Sequence, residues 1–182
     1  YTPVNYNSLN VTIFSDDFDG DNSVLGLNNR GYKVYNNSSP VGSSSWFQGN
    51  NSTFNAFNGP TTGYVAANYQ SASGTGNVDL WLVSPKISGG IFSGDILSFW
   101  TRSTDSSTTE YPDSIRVYLS PNGDSTINGT YTELGRFKVR KPGPGSPNNG
   151  YEQKIFPLLS SAPNGRIVIR YTRIIKDFIE DN

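Results

Sequence analysis

The chain contains no cysteine, no histidine and no methionine. Without cysteine there is no disulfide, no thiolate nucleophile and no thiolate-bound metal. Without histidine there is no Ser-His-Asp triad, no Cys-His pair and no imidazole-ligated zinc. The missing initiator methionine reads as a processed product or an excised segment of something larger. Charge of one sign is lacking too: 14 Lys and Arg face 15 Asp and Glu, for a net −1. That balance disfavours nucleic-acid binding, which needs a basic footprint to neutralise phosphates. The one basic run, Lys138-Val139-Arg140-Lys141, reads as a solvated strand end. No apolar run approaches membrane-spanning length, and no signal-peptide pattern is present. Glycine-rich phosphate loops and the S-x-x-K context of a Ser-Lys dyad are also missing. Paired carboxylates remain as the one catalytic device the composition allows, but Glu110, Glu133, Glu152 and Glu180 stand in no telling context. The reading is therefore a protein that is not an enzyme.

What is present is aromatic and turn-rich. Hydrophobic residues make up only 34% of 182 residues, yet aromatics reach 13%, which separates this chain from a disordered one. Ser, Thr, Asn, Gly, Tyr and Val dominate over helix formers, the composition of short strands joined by many turns. Residues 1–10 are polar and read as an N-terminal arm or linker, with a single domain over 11–182. Strands are expected at Val11–Phe14, Gly31–Tyr35, Gly63–Tyr69, Asp79–Ser84, Asp95–Arg102, Ser114–Ser120, Tyr131–Val139, Tyr151–Phe156 and Arg166–Tyr171. Alternation places Ile115, Val117 and Leu119 on one face, and Ile167, Ile169 and Tyr171 on one face. Pro121-Asn122-Gly123-Asp124 is a turn, because proline presets one φ and glycine supplies a positive one. No helix is expected before the C-terminal segment. This pattern predicts an all-β sandwich or barrel; as an antiparallel two-sheet sandwich, its inner faces would be filled by Leu97, Phe99, Ile115, Val117, Leu119, Ile167 and Ile169.

Three local features carry chemistry. In Asp16-Asp17-Phe18-Asp19-Gly20-Asp21-Asn22, alternate carboxylates at Asp17, Asp19 and Asp21 match the opening of a calcium loop, but the late bidentate Glu is missing. Two readings stay open for it, a calcium site and a solvated acidic turn. Trp81 and Trp100 lie inside apolar strand patterns and read as core. Trp46 lies in a Ser/Asn-rich loop beside Phe47 and Gln48, where packing within the loop and an exposed platform for a sugar ring are both open. That loop, Asn36 to Pro60, also holds Phe54 and Phe57 and is expected to be ordered by its own packing. Asp79 and Asp113 stand at strand starts, where a carboxylate commonly caps backbone N–H groups.

Five segments in order resemble one family. Ile13-Phe14-Ser15-Asp16-Asp17-Phe18-Asp19-Gly20, Val78-Asp79-Leu80-Trp81-Leu82-Val83-Ser84-Pro85, Leu97-Ser98-Phe99-Trp100, Asp113 through Ser120, and Val168-Ile169-Arg170-Tyr171 are similar to landmarks of the cleaved-adhesin domains of gingipain-type proteins. The wider group is labelled choice-of-anchor J and is related in fold to MAM domains. The resemblance implies a jelly-roll sandwich, a secreted or cell-surface location in Bacteroidetes-like bacteria, and adhesion to a surface glycan or another protein. It also implies a structural Ca²⁺ near the opening acidic residues, with Asp17 and Asp19 as first ligands and Asp181 of the closing strand as a third. Asp124-Ser125-Thr126 resembles the short O-glycosylation pattern of such surface proteins and makes Ser125 the candidate acceptor. The sequence departs from the family at its C-terminus, where Ile179-Glu180-Asp181-Asn182 only faintly matches the closing strand. A shortened last strand would leave a sheet edge for a partner, so a structural or assembly subunit of a larger surface complex is the alternative reading.

Overall fold

A computed structural model describes residues 11–104, 113–139, 142 and 145–173. The arm at 1–10 and the C-terminal segment holding Asp181 lie outside the described residues.

The elements run α1 (Val24–Asn29), β1 (Lys33–Asn36), β2 (Ser39–Val41), β3 (Phe47–Gln48), β4 (Val65–Ala66), β5 (Ala72–Val83), β6 (Ile96–Thr101), β7 (Asp113–Ser120), β8 (Thr132–Lys138), β9 (Glu152–Pro157) and β10 (Arg166–Arg173). One sheet has the order β1-β5-β10-β7-β8, with β2 also pairing β5, and every pairing is antiparallel. The opposite layer consists of two separate ladders, β3–β4 and β6–β9. The molecule is thus mostly β and antiparallel, but its second layer is two ladders rather than the continuous sheet expected of a jelly roll.

The reason for the asymmetry is written in the strands. Leu80-Trp81-Leu82-Val83 in β5 is an uninterrupted apolar run, buried throughout, as a strand covered on both faces requires. On the inner face Leu80, Leu82, Ile115, Val117, Leu119, Ile167 and Tyr171 pack with Trp46, Ile91 and Leu158, and Leu97, Phe99 and Phe156 of the β6–β9 ladder lean on them. On the outer face Trp81, Val83, Tyr118 and Val168 form a second cluster, covered by Tyr35 and by Ile127 and Tyr131 of the β7–β8 connection. The expected inner faces of β7 and β10 are those observed, although Leu97, Phe99 and Ile169 are only partly buried.

Three expectations are corrected. Val11–Phe14 forms no strand: no neighbouring edge takes it, and Val11, Ile13 and Phe14 are exposed. Gly63–Tyr69 shrinks to the two residues of β4, because the chain turns at both ends. The helix α1 was not expected; Ser23 caps it by accepting from the Gly26 N–H at 3.1 Å.

Candidate functional site

The opening acidic turn is built around Arg30. Asp16 accepts from the Phe18 N–H at 2.9 Å and from Arg30 Nε at 3.2 Å. Arg30 also donates to Asn22 Oδ1 at 2.6 Å and to the Asp21 carbonyl, and its guanidinium lies 5.9 Å from both the Phe18 and Tyr32 rings. Asn22 is fully buried with its side-chain amide and N–H both engaged: Nδ2 donates to the Phe18 carbonyl, and its N–H donates to Gln48 Oε1 at 2.7 Å. Asp17 accepts from the Asp19 N–H at 3.1 Å, and Asp21 accepts from the Ser23 N–H at 2.8 Å. The Ser23 contacts hold the Asp21 carboxyl below the usual carboxylate range. Asp19 lies against the 59–63 backbone, where Gly59 and Gly63 leave it room that a Cβ would fill.

Four carboxylates therefore crowd one turn without converging. Asp16 is committed to Arg30, and Asp17 and Asp21 each close a local turn. Among the described residues no group of three or more acidic side chains is placed to hold a metal ion. Asp17 and Asp19 remain exposed on the same turn, so these two would supply side-chain oxygens to Ca²⁺ and the rest would come from elsewhere.

The aromatic loop settles the question left open at Trp46. Trp46 is 6% exposed and belongs to the inner core, so its indole is not a platform; it immediately precedes β3, whose pairing with β4 carries it under the surface. The exposed ring of this region is Phe57, 39% accessible. It stacks on Trp100 of β6 at 4.0 Å with the planes 15° apart, and Tyr151 meets it edge-on at 5.5 Å. Phe54 stacks on Tyr64 at 4.8 Å, and the Arg102 guanidinium sits 4.4 Å from the Phe54 ring. Hydroxyls fasten the backbone: Tyr64 donates to the Asn50 carbonyl at 2.8 Å, and Tyr151 donates to the Asn55 carbonyl at 2.9 Å. Burial pushes the Tyr151 phenol up to about 12. The loop is thus ordered by its own aromatic packing, as expected. Trp100, expected in the core, is instead half-buried beneath Phe57.

Trp81 is buried as expected, on the outer face of the large sheet. Asp79 does not cap a strand start. It lies inside β5 and takes a two-pronged ion pair from Arg170 of β10, at 2.6 and 2.9 Å, while the guanidinium covers the Trp81 ring at 4.6 Å. Asp113 opens β7 and bonds the Tyr171 hydroxyl; desolvation pushes its carboxyl up. Ser125 is partly buried in the turn between β7 and β8, beside Asp124, which accepts from the Thr130 N–H at 2.8 Å. A cleft of about 390 Å³ opens between the edges of β8 and β9, lined by Phe137, Lys138, Glu152 and Lys154. Lys154 fills part of its chemistry internally, with its ammonium 2.6 Å from Glu152 and 4.7 Å from the Phe137 ring.

No family model and no curated protein matches the chain. Among solved structures the chain is similar to the K3 cleaved adhesin domain of Lys-gingipain from Porphyromonas gingivalis w83, with 22% identity and a TM-score of 0.39 over 61% of this chain. The match spans 62% of that domain's own length.

Proposed function

We propose that this chain is a non-catalytic adhesion domain displayed at a cell surface or secreted, and that its ligand is a surface glycan held on the Phe57 ring. The observation that carries this reading is the Phe57–Trp100 stack: an aromatic face at the surface, backed by an indole and locked by Tyr151. A ring fixed in this way loses little conformational freedom when the apolar face of a pyranose settles on it. Long loops that are ordered without helix or strand are disproportionately functional, and residues 49–64 form such a loop. The composition supports the absence of catalysis, since neither His nor Cys exists to build the common nucleophile–base pairs.

Ca²⁺ belongs to the same proposal as a stiffener of the opening turn, held by Asp17 and Asp19 with Asp181 as a third ligand, and Ser125 as an O-glycosylation acceptor. The test is a glycan array probed with the wild type and with Phe57→Ala. Binding to at least one glycan class, lost in Phe57→Ala while the fold persists, is expected. Retained binding in that variant would remove Phe57 from the site. Thermal unfolding in Ca²⁺ and in excess EDTA checks the metal, because a ligand bound only to the folded state raises its melting temperature. A shift lost in Asp17→Ala or Asp19→Ala is expected; no shift returns the turn to plain surface.

A further inference from the structure

Among the described residues, the β6–β9 ladder is covered on one side only. Ile96 pairs with Pro157, Ser98 with Ile155 and Trp100 with Gln153, so strand alternation puts these six side chains on the face opposite Leu97, Phe99 and Phe156. Phe57 roofs the Trp100 end. Beyond that roof Ile155 is 58% exposed and Ile96 68%, and the turns that continue the two strands add Phe92 at 60% and Leu159 at 81%. Those turns are held in place. Asp95 accepts from the Phe92 N–H at 2.7 Å, the Ser93 N–H donates to the Ser161 hydroxyl at 3.1 Å, and Ile91 and Ala162 bridge the strands. Hydrogen-bonded backbone therefore holds a set of large apolar side chains out in water.

Single exposed apolar residues need no explanation, but a contiguous group does. Phe92, Ile96, Ile155 and Leu159 together present roughly 500 Å² of side-chain surface, near the upper end for a monomer's largest apolar patch. We propose that this face is the interface of a homodimer, and that its occupant is the same ladder of a second copy. Charge favours that partner. Phe92, Ser93, Ile96, Ser98, Ile155, Pro157, Leu159, Ser160 and Ser161 are all uncharged, and the Asp95 carboxylate between them is turned onto the Phe92 N–H. Two copies face each other without like-charge repulsion, whereas a partner chosen by charge finds nothing to read.

Shape favours it as well. In the Ser98–Ile155 rung the bulky residue is on β9 and the small one on β6. A two-fold axis running along the strands lays Ile155 of one copy on Ser98 of the other, and the reverse, in one isologous contact. The same rotation sets Ile96 against Pro157. Counting the serine rim, the buried area approaches the roughly 800 Å² per partner of a standard interface. The same rotation brings the Phe57-roofed ends of the two copies together, and the proposal does not depend on the glycan contact.

Sedimentation velocity over a series from about 1 μM to about 1 mM tests the proposal. A reversible dimer is expected for the wild type. Ile96→Asp and, as a second variant at an exposed position, Ser98→Arg are each expected to weaken it at least tenfold without changing the melting temperature of the dilute, monomeric protein. Phe57→Ala is expected to keep the dimer, which separates this interface from the glycan reading. A wild type that stays monomeric throughout overturns the proposal, as does a dimer that both charged variants leave intact. A monomer whose Ile96→Asp variant melts earlier also overturns it, since the stripe would then be covered by the chain's own residues.

Discussion

The large sheet and the β6–β9 ladder differ in how many of their faces are buried. The large sheet is covered twice: Leu80, Val117, Leu119 and Ile167 face the inner core, while Trp81, Val83, Tyr118 and Val168 lie under Tyr35, Ile127 and Tyr131. The β6–β9 ladder is covered once, with Ile96 and Ile155 facing water. The difference teaches where stability and recognition reside. A sheet buried on both sides supplies most of the hydrophobic free energy, and the thinner layer is then free to display apolar and aromatic side chains that contribute little to folding.

The sharpest way to break this comparison is truncation on each layer. Leu119, completely buried, should lose about 2–4 kcal/mol as Leu119→Ala, the usual result of deleting a core leucine. Ile96→Ala should change stability by no more than about 0.5 kcal/mol. Urea unfolding of both variants decides it, and equal losses would mean that the ladder's outer face is buried in solution.

A middle-sized effect is expected where the large sheet carries charge. Arg170 closes over Trp81 and meets Asp79, whose side chain is 13% exposed. Arg170→Met keeps an apolar stem over the indole but leaves the carboxylate with Asn37, which donates to it at 2.9 Å. A loss of about 2 kcal/mol follows from stranding a half-buried charge. Adding Asp79→Asn should recover part of it, and the double-mutant cycle in urea measures how much. An additive result would mean that the pair contributes nothing beyond its packing.

How far these contrasts are legible in the sequence depends on how local their causes are. β7 is readable because Ile115-Arg116-Val117 alternates within a strand's own length, and β10 because Ile167-Val168-Ile169 is a β-branched apolar run bounded by Arg166 and Arg170. The helix α1 is hidden because six residues with Gly26 at their middle span too few turns to show a period; the Ser23 cap is the signal that was there. Val11–Phe14 has strand propensity but no edge to join, and propensity alone does not make a strand. Trp46 and Phe57 show the limit most clearly. Both stand among Ser, Asn and Gly, yet one is driven into the core by the β3–β4 ladder and the other is held at the surface by Trp100. Which aromatic a polar loop buries is decided by the element beneath it, which sequence neighbours do not reveal. The mostly β class follows from strand count and turns, whereas the two small ladders β3–β4 and β6–β9 depend on long-range pairing.

The smallest expected effect lies at a weak point of the well-covered sheet. Asp113 begins β7, its Oδ1 is buried without a hydrogen-bond partner, and desolvation raises its carboxyl above the ordinary 3.8 despite the opposing Tyr171 hydroxyl and Arg173. The folded chain therefore holds this proton at a pH where the unfolded chain has released it. The native state binds more protons in that window, so the contribution of this group to stability is greatest below 3.8 and declines as pH rises through the raised folded value. Asp113→Asn removes that decline while its amide oxygen still accepts from Tyr171. The variant should match the wild type in acid and exceed it at neutral pH by less than about 1 kcal/mol. Urea midpoints of the two proteins, taken as a difference across the acid range, report the effect free of other carboxylates. A variant weaker than the wild type at neutral pH would mean that the Asp113 carboxylate is well satisfied, and that the start of β7 is no weak point.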